Sequence, residues 1–255
     1  MPDVVFITGA SSGIGWAGAL AFARRGFCVA GMARRQDRLH ALQEAIAPLA
    51  GTFLPIVGDV ARREDVENAV TQTLSAWGRV DVAVVNAGLG QRGALADADW
   101  GDLDTLLRVN VEGALHTIRA VVPPMRQQKR GHIMTVSSVA ASLVSPYAAT
   151  YAASKAFLSS IAASLRLELE QDGIRVSDFL IGRTETEFND KRLGAGARST
   201  SNLPTMSADM VAEAFVRTYE RPRDTVILRP FDRLIVLGNR LLPALMGRLA
   251  KKQYK

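Results

Sequence analysis

The chain has 255 residues, of which 48% are hydrophobic and 22% charged, with a formal net charge of +6. This length suits one large α/β core, and the dispersed arginines do not form the concentrated basic stripe of nucleic-acid-binding proteins. No apolar stretch is long enough to cross a bilayer, and the first predicted strand begins within five residues of Met1, without a secretory leader. We therefore expect a cytoplasmic, single-domain protein over residues 1–255, with no nucleic acid among its partners.

The number of cysteines and the spacing of the histidines indicate the redox compartment of the protein and whether it binds a metal. Cys28 is the single cysteine, so the chain cannot form an internal disulfide, as is typical of the reducing cytoplasm. The three histidines, His40, His116 and His132, are scattered without the spacing of metal ligands. The sequence predicts no metal site.

The first predicted element is a buried strand over residues 4–7, followed by a glycine-rich turn over residues 8–15 and an Ala-rich helix over residues 16–25. Glycine motifs bind phosphate in this context, because glycine lets a pyrophosphate approach backbone N–H groups and the helix dipole favours its charge. An ordinary βα turn is the alternative. A strand is predicted before the turn and a helix after it, and this context favours phosphate binding.

Strands and helices then alternate along the chain. Further strands are predicted over residues 27–33, 52–57, 82–85, 132–137, 174–180 and 225–228, and helices over residues 37–47, 63–77 and 102–127. This alternation predicts an α/β fold, a Rossmann-like doubly wound parallel sheet of about seven strands with helices on both faces. The connection over residues 188–204, with Gly194 and Gly196, is interpreted either as a substrate lid or as an ordinary long loop.

Tyr151 and Lys155 lie four residues apart in an Ala-rich segment predicted to be helical, so the phenol and the ammonium share one helix face. A phenol has a pKa of about 10, and a nearby cation lowers this pKa because it favours the phenolate. The pair is typical of a tunable proton donor and acceptor. On spacing alone, a surface Tyr and Lys on an exposed helix remains the simpler interpretation.

Taken together, the motifs resemble those of the short-chain dehydrogenase/reductase family. The turn over residues 8–15 matches the family pattern Thr-Gly-x-x-x-Gly-x-Gly, and Asn-Ala-Gly at residues 86–88 follows an apolar strand. Asn110 lies in a Val-Asn-Val segment, and Ser138 lies 13 residues before Tyr151, the usual family separation.

The resemblance implies an NADP(H)-dependent oxidoreductase that interconverts a carbonyl and an alcohol by hydride transfer. Tyr151 would donate or accept the proton, and Lys155 would lower the pKa of Tyr151 and hydrogen-bond the nicotinamide ribose. Ser138 would hold the substrate oxygen, and Asn110 would position a water. The rivals Tyr147 and Ser137 fit the family spacing less well than Tyr151 and Ser138. The implied catalytic set is Asn110, Ser138, Tyr151 and Lys155.

The cofactor is expected to be NADP, with NAD less favoured. An acidic residue after the second strand of dinucleotide folds holds the ribose of NAD, whereas Arg accommodates the 2′-phosphate of NADP. Here Arg34 and Arg35 follow Ala33, with no acid before Asp37. Asp59 matches the family residue at the adenine and is also interpretable as a helix cap. The implied cofactor set is Gly9, Ser11, Ser12, Gly13, Ile14, Gly15, Arg34, Arg35, Asp59, Val60, Asn86, Ala87, Gly88, Tyr151, Lys155, Gly182, Thr184 and Thr186.

One departure from the family concerns the loop after the sixth strand, where Ile181-Gly182 replaces the usual Pro-Gly. Pro fixes a backbone angle, so the loop geometry beside the nicotinamide is open, although Thr186 keeps the family position. An apolar pocket is predicted, which favours a hydrophobic ketone, aldehyde or secondary alcohol; packing at the rim is the alternative. The implied substrate set is Ser138, Leu89, Leu143, Val144, Pro146 and Leu180.

The carboxyl-terminal segment, residues 231–255, is amphipathic. Leucines recur at helical spacing between basic residues, and Pro243 is expected to kink or restart the helix. The segment is interpreted as a cover for the core, as a subunit interface of a homodimer or homotetramer, or as a peripheral membrane contact. The leucines are Leu234, Leu237, Leu241, Leu242, Leu245 and Leu249.

Three classes of function therefore remain. An oxidoreductase acting on a small, mostly apolar molecule is favoured because Asn110, Ser138, Tyr151 and Lys155 are all present. A lyase or epimerase on the same fold would usually carry a larger carboxyl-terminal substrate region. A non-catalytic NADP(H) sensor or interaction protein would often lack the Tyr or the Lys.

Overall fold

The computed structural model describes residues 1–196 and 204–252, apart from the side chains of Asn189 and Lys252. Its strands are β1 (Val4–Thr8), β2 (Cys28–Ala33), β3 (Thr52–Val57), β4 (Val82–Val85), β5 (Gly131–Ser138), β6 (Ile174–Ile181), β7 (Thr184–Glu185), β8 (Met206–Ser207) and β9 (Thr225–Val226). Its helices of eight or more residues are α1 (Gly13–Arg24), α2 (Gln36–Ile46), α3 (Arg63–Trp77), α4 (Trp100–Leu107), α5 (Gly113–Gln128), α6 (Ala149–Glu168), α7 (Ala208–Glu220), α8 (Pro230–Leu241) and α9 (Pro243–Lys252).

The main sheet has the strand order β3-β2-β1-β4-β5-β6-β9, and every pairing in it is parallel. β1 lies between β2 and β4, so successive strands are added first on one side of β1 and then on the other. Such a switch point leaves a crevice at the carboxyl ends of the strands, where ligands bind in open α/β sheets. The predicted Rossmann-like, doubly wound α/β domain is confirmed.

Side-chain alternation along the strands divides the core into two layers. Phe6 faces one layer, which contains Leu158 and the buried residues of α3, α5 and α6. Ile7 faces the other layer, which contains Phe22, Phe215 and the buried residues of α1, α2 and α7. Replacing such a fully buried Phe by Ala costs about 3–5 kcal/mol, so these layers fix the positions of the strand ends.

The helix predicted over residues 102–127 is divided in the structure. α4 ends at Leu107, a π-helical turn follows over Arg108–Glu112, and α5 begins at Gly113. A π-helical turn contains an extra residue in the helix and is often found at functional sites. Asn110 lies in this turn and is almost completely buried.

The segment after β6 differs from a simple loop. β7 and β8 pair in parallel as a separate two-stranded sheet, which residue patterns cannot predict because each strand has two residues. The segment predicted as a lid or a loop, residues 188–204, is described up to residue 196. Within this part, Leu193 forms an isolated parallel β-bridge with Gln91. Residues 197–203 of that prediction lie outside the described residues.

The carboxyl-terminal helix restarts at Pro243, as predicted: α8 ends at Leu241 and α9 begins at Pro243. Over the described ranges, no helix combines the length and the apolar character needed to span a membrane.

Candidate active site

The glycine-rich turn lies between the end of β1 and the start of α1. Gly9 and Gly13 have φ angles of +72° and +54°, in the left-handed region that glycine adopts without strain. A Cβ on Gly15 would lie 2.3 Å from the carbonyl oxygen of Gly9, so that glycine lets the helix pack against the turn. Ser12 caps α1 in extended conformation, and its side chain makes no capping hydrogen bond to the described residues. The backbone N–H groups at the start of α1 therefore face the crevice, as anion binding requires.

Thr8 and Asn86 join the ends of β1 and β4 beside this turn. The Thr8 hydroxyl accepts hydrogen bonds from the backbone N–H groups of Asn86 (3.1 Å) and Ala87 (3.2 Å). The Asn86 amide donates to the carbonyl oxygen of Thr8 (2.8 Å). These bonds hold the Asn-Ala-Gly segment against the crevice.

A cleft of ≈ 540 Å³ follows the carboxyl ends of the strands from the glycine turn to Tyr151 and Lys155. Its walls contain most of the residues that the resemblance implied: Gly9, Ser11, Ser12, Gly13, Ile14, Arg34, Arg35, Asp59, Val60, Asn86, Ala87, Gly88, Leu89, Ser138, Tyr151, Lys155, Gly182, Thr184 and Thr186. The structure thus brings residues from across the first 186 positions of the chain into one continuous groove.

Six of the implied residues do not line the cleft: Gly15, Asn110, Leu143, Val144, Pro146 and Leu180. Strand alternation points Leu180 and Ile181 to opposite faces of β6, and it is Ile181 that lines the cleft. Val144 is instead at the surface, where its N–H donates to the side-chain oxygen of Asn239 (3.1 Å). The structure does not support the prediction that Leu143, Val144 and Leu180 form the substrate wall.

Lys155 lies at the inner end of the cleft and is 5% exposed. Its Nζ donates to the carbonyl oxygen of Val136 (2.8 Å). Burial lowers the pKa of Lys155 to about 8, and the negative charge of Asp178 opposes that change. Asp178 is itself buried in β6 and accepts a hydrogen bond from Thr135 (2.7 Å). Residue patterns did not single out Asp178, because an acidic residue within a strand carries no motif.

Tyr151 faces the cleft beside Ser138 and Phe188. Its ring centroid lies 5.9 Å from that of Phe188. Desolvation raises the pKa of Tyr151, and a hydrogen bond with Ser138 partly opposes the rise. Lys155, whose ammonium is bound to the Val136 carbonyl, is not among the groups that shift the pKa of Tyr151, so the expected lowering of this pKa is not found in this structure.

The geometry separates both pairs of rival residues. Ser137 donates to the carbonyl oxygen of Lys155 (3.1 Å) and pairs with Ser159 (2.7 Å), so its hydroxyl bonds to α6. Ser138 accepts from the N–H of Ala140 (3.1 Å) and contacts the Tyr151 phenol. Tyr147 lies outside the cleft wall. Of these four residues, Ser138 and Tyr151 have side chains that bond to each other, and their catalytic roles stay a prediction.

Asn110 holds the Asn-Ala-Gly loop from behind. Its side-chain oxygen accepts from the N–H of Leu89 (2.7 Å), and its amide donates to the Leu89 carbonyl (2.9 Å) and the Ser154 hydroxyl (3.0 Å). A Cβ on Gly88 would lie 3.3 Å from Lys155 Nζ and 3.4 Å from Asn110 Oδ1. The absence of a side chain at Gly88 thus keeps the space between Asn110 and Lys155 open.

Basic residues lie at the opposite end of the cleft, after β2. Arg34 is 63% exposed and approaches Asp59 at 3.6 Å. Arg35 donates to the Ser11 hydroxyl (3.1 Å) and to Glu187 (3.3 Å). Arg38 donates to the Ser11 carbonyl (3.4 Å) and to Glu187 (2.9 Å). Sequence reasoning missed Arg38 and Glu187, although Arg38 follows Arg35 by three residues, close to one helical turn.

Glu187 connects the loop after β7 with these arginines. Besides Arg35 and Arg38, Lys191 donates to its carboxylate (2.5 Å). The hydrogen bonds of Lys191 and Arg35 hold the pKa of Glu187 below its ordinary value. Thr186 precedes Glu187, and its methyl carbon would lie 3.1 Å from a Cβ on Gly13. The loop therefore closes over the glycine turn and reaches the basic end of the cleft.

Gly182 follows the Ile181 that replaces the family Pro. A Cβ on Gly182 would lie 2.4 Å from Asp232 Oδ2, and Asp232 is held by Arg229 through bonds of 2.8 and 2.7 Å. The Thr184 hydroxyl donates to the Gly182 carbonyl (3.1 Å). These contacts fix the loop where the family uses Pro, and Ile181 forms part of the cleft wall.

The sequence profile of the family described as short chain dehydrogenase matches residues 3–195. The chain belongs to this family. The match covers every element that forms the cleft from the glycine turn to the Glu187 loop. It extends beyond Lys155 and ends before β8, so the carboxyl-terminal helices lie outside it.

Short-chain dehydrogenases of known activity or structure are similar over most of the chain. Sulfoacetaldehyde reductase 2 of Chromohalobacter salexigens is 33% identical and covers 87% of this chain and 90% of its own length. An alcohol dehydrogenase of Thermococcus sibiricus, complexed with 5-hydroxy-NADP, is 26% identical with a TM-score of 0.78, covering 90% and 97% of the two chains. A 3-ketoacyl-(acyl-carrier-protein) reductase of Brucella melitensis, complexed with NADH, is 26% identical with a TM-score of 0.76, covering 88% and 94%.

These relatives and the site establish an oxidoreductase of the short-chain dehydrogenase family with a nicotinamide cofactor. The residues present fit such a group. The glycine turn leaves space against the N-terminus of α1, and the cleft extends from there to Lys155. Because one structural neighbour is complexed with an NADP derivative and the other with NADH, the comparisons leave the choice of cofactor open.

Proposed function

We propose that the protein is an NADP(H)-dependent reductase that converts a carbonyl compound into an alcohol, and the reverse. The observation that supports this proposal is one continuous cleft with Arg34 and Arg35 in its wall at one end and Ser138, Tyr151 and Lys155 at the other. Arg38 lies beside the basic end, where it donates to the Ser11 carbonyl. NADPH supplies the hydride when bound. The arginines are suited to the 2′-phosphate, because guanidinium groups match phosphate geometry.

In the proposed reaction, the Tyr151 hydroxyl donates its proton to the carbonyl oxygen as negative charge develops there. Ser138 donates a hydrogen bond to the same oxygen and stabilises that charge in the transition state. Lys155 holds the ribose of the cofactor through its ammonium group. Asn110 keeps Leu89 and the Asn-Ala-Gly loop in place, and the space beside Gly88 admits a water between Lys155 and Asn110.

The proposed substrate is a ketone, aldehyde or secondary alcohol with a mainly apolar body. Leu89, Val139, Ile181 and Phe188 line the cleft near Tyr151 and support this preference. Arg92 also lines the cleft, so carbonyl compounds that carry an acid group belong in the same substrate panel.

The proposal includes a cytoplasmic location and a homodimeric or homotetrameric state. The buried thiol of Cys28 supports a reducing compartment. Light scattering of the purified protein gives the mass of the assembly, and a monomeric mass would contradict the oligomer.

The test is a calorimetric titration of the protein with NADPH and NADH, followed by NADPH oxidation across apolar and acidic carbonyl compounds. Tighter binding of NADPH and turnover of any carbonyl compound are the expected results. Tighter binding of NADH would contradict the cofactor assignment. Binding of NADPH without turnover across the panel would favour a sensor, and conversion without net NADPH oxidation would favour a lyase or epimerase.

A further inference from the structure

The carboxyl-terminal helices expose a row of large apolar side chains. Phe231, Leu234, Leu237 and Leu241 recur along α8 at three- and four-residue intervals, which places them on one side of the helix. Leu242, between the two helices, and Leu245 and Leu249 on α9 are further exposed leucines of the segment. All seven are exposed, with Leu234 at 66% and Leu241 at 68%. We call these seven residues the leucine face.

Other residues attach these helices to the domain. The Asn239 amide donates to the carbonyl oxygen of Ser142 (2.8 Å), and its side-chain oxygen accepts from the N–H of Val144 (3.1 Å). Gly247 is buried, and a Cβ there would lie 2.9 Å from the Val144 side chain. The leucine face is therefore not the side that covers the core, contrary to one of the sequence interpretations.

Positive charge is concentrated in the same segment. Residues 230–255 contain six lysines and arginines and one aspartate, so this short segment carries +5 of the net charge of +6. The aspartate, Asp232, is buried and paired with Arg229. Arg233 and Arg240 are exposed on α8, one helical position from Leu234 and Leu241, and Arg248 is exposed on α9 next to Leu249. The leucine face is thus bordered by cations.

We propose that α8 and α9 form a docking surface for an anionic membrane, with the leucine face inserted at the level of the headgroups and the basic residues against lipid phosphates. An amphipathic helix with apolar and basic sides lies in the membrane interface in this way. Each basic residue near an anionic bilayer adds to the attraction, which salt screens.

Charge argues against a second copy as the occupant of this face. A two-fold interface apposes the same patch of both subunits, so two segments of +5 would face each other. Like charges across an interface are unfavourable, whereas an anionic membrane complements them. The surface also adjoins the mouth of the cleft, because Asn239 binds the Ser142 carbonyl and that segment continues from Val139 in the cleft wall.

The experiment is co-sedimentation of the full chain with vesicles of phosphatidylcholine alone or mixed with phosphatidylglycerol, at low and high salt. We expect binding to the mixed vesicles only, with loss at high salt. The variants Leu234→Ser/Leu241→Ser and Arg240→Gln/Arg248→Gln should each reduce partitioning by about tenfold or more. The second variant changes only exposed charges, so it tests the proposal even if the first lowers stability.

The matched controls are Leu167→Ser, a leucine 78% exposed on α6, and Arg24→Gln/Arg119→Gln, which removes the same charge elsewhere. Both controls should bind vesicles as the unchanged chain does. Absence of vesicle binding, equal binding to both vesicle types, or equal losses in the controls would overturn the proposal. So would light scattering that shows an oligomer dissociated by Leu234→Ser/Leu241→Ser. None of these readouts depends on turnover, so the proposed reductase activity stands or falls separately.

Discussion

At the scale of single residues, the groups proposed for catalysis are positioned by backbone atoms and by one another. Lys155 is bound to the Val136 carbonyl, and Tyr151 to Ser138, whose hydroxyl also accepts from the Ala140 N–H. Because desolvation raises the pKa of Tyr151, the phenol retains its proton near neutral pH. A protonated phenol suits the acid that the reductive direction requires.

Replacing Tyr151 by Phe removes that proton and leaves the ring in place. We expect kcat/KM for NADPH-dependent reduction to decrease by about 10²–10⁴-fold, the range for a lost general acid. The Kd for NADPH, measured by calorimetry, should change little. Tyr147→Phe is the matched control, because Tyr147 lies outside the cleft wall, and it should retain activity. Retained activity in Tyr151→Phe would show that another group donates the proton.

The pKa of Lys155, lowered to about 8, predicts an alkaline limit to activity. Above this pH the ammonium loses its charge, so it holds the ribose less well, while Tyr151 with its raised pKa still carries a proton. The profile of kcat/KM for reduction, measured from neutral to strongly alkaline pH, should therefore decrease above about pH 8. In Lys155→Arg, whose side chain stays charged, the residual activity should lack this decrease. A wild-type profile that is flat through this region would contradict the assignment.

At the scale of elements, three separate segments meet at the basic end of the cleft. Ser11 belongs to the glycine turn, Arg35 and Arg38 to the start of α2, and Glu187 to the loop after β7. The Glu187 carboxylate accepts hydrogen bonds from Arg35 and Arg38, whose guanidinium groups are proposed to bind the 2′-phosphate. Glu187 and that phosphate would therefore compete for the same donors.

Glu187→Gln tests this competition. Without the carboxylate, we expect the affinity for NADPH to increase up to about fivefold, the range for exposed ion pairs. The affinity for NADH should change little, and both affinities can be measured by calorimetry. Glu185→Gln, an exposed acid in the same segment, is the control and should leave the NADPH affinity unchanged. Weaker binding of both cofactors would instead show that Glu187 closes the loop over the adenosine half.

At the scale of the whole molecule, the sheet buries a histidine in its neutral form. His132 in β5 lies 2.8 Å from the Ser177 hydroxyl, which donates to the Arg223 carbonyl (2.6 Å) and so accepts from His132 Nε2. His132 Nδ1 has no hydrogen-bonding partner among the residues in the described ranges. Burial, aided by the charge of Arg175, lowers the pKa of His132 to about 4.

This pKa predicts a stability that depends on pH. Between about pH 6.5 and 4 the unfolded chain protonates this histidine and the folded chain does not. The free energy of unfolding should therefore decrease by about 3 kcal/mol as the pH decreases through that window, with no contribution above it. Urea unfolding at a series of pH values measures this slope. The slope should be shallower in His132→Gln and unchanged in His40→Gln, an exposed control; equal slopes in all three proteins would exclude His132 as the cause.

Much of the fold was predictable because its signals are local. The apolar strand over residues 4–7 and the glycine turn after it form a local pattern. This pattern is typical of a βα unit in which a phosphate group approaches the backbone closely. The alternation of strands and helices predicted the parallel sheet. The division of the helix at the π turn around Asn110 and the pairing of β7 with β8 were not predictable, since both depend on contacts with distant segments such as Leu89.

The sequence by itself determined the α/β class, the family and the set of polar residues at the carboxyl ends of the strands, because spacing along the chain encodes each of these. The tertiary structure separated neighbouring residues: the hydroxyl of Ser138 contacts Tyr151 whereas that of Ser137 bonds to α6, and Ile181 rather than Leu180 lines the cleft. It also showed that burial raises the pKa of Tyr151, and that the leucines of α8 and α9 face outward. These outcomes depend on solvent exposure and on distances between residues far apart in sequence, which residue patterns do not contain.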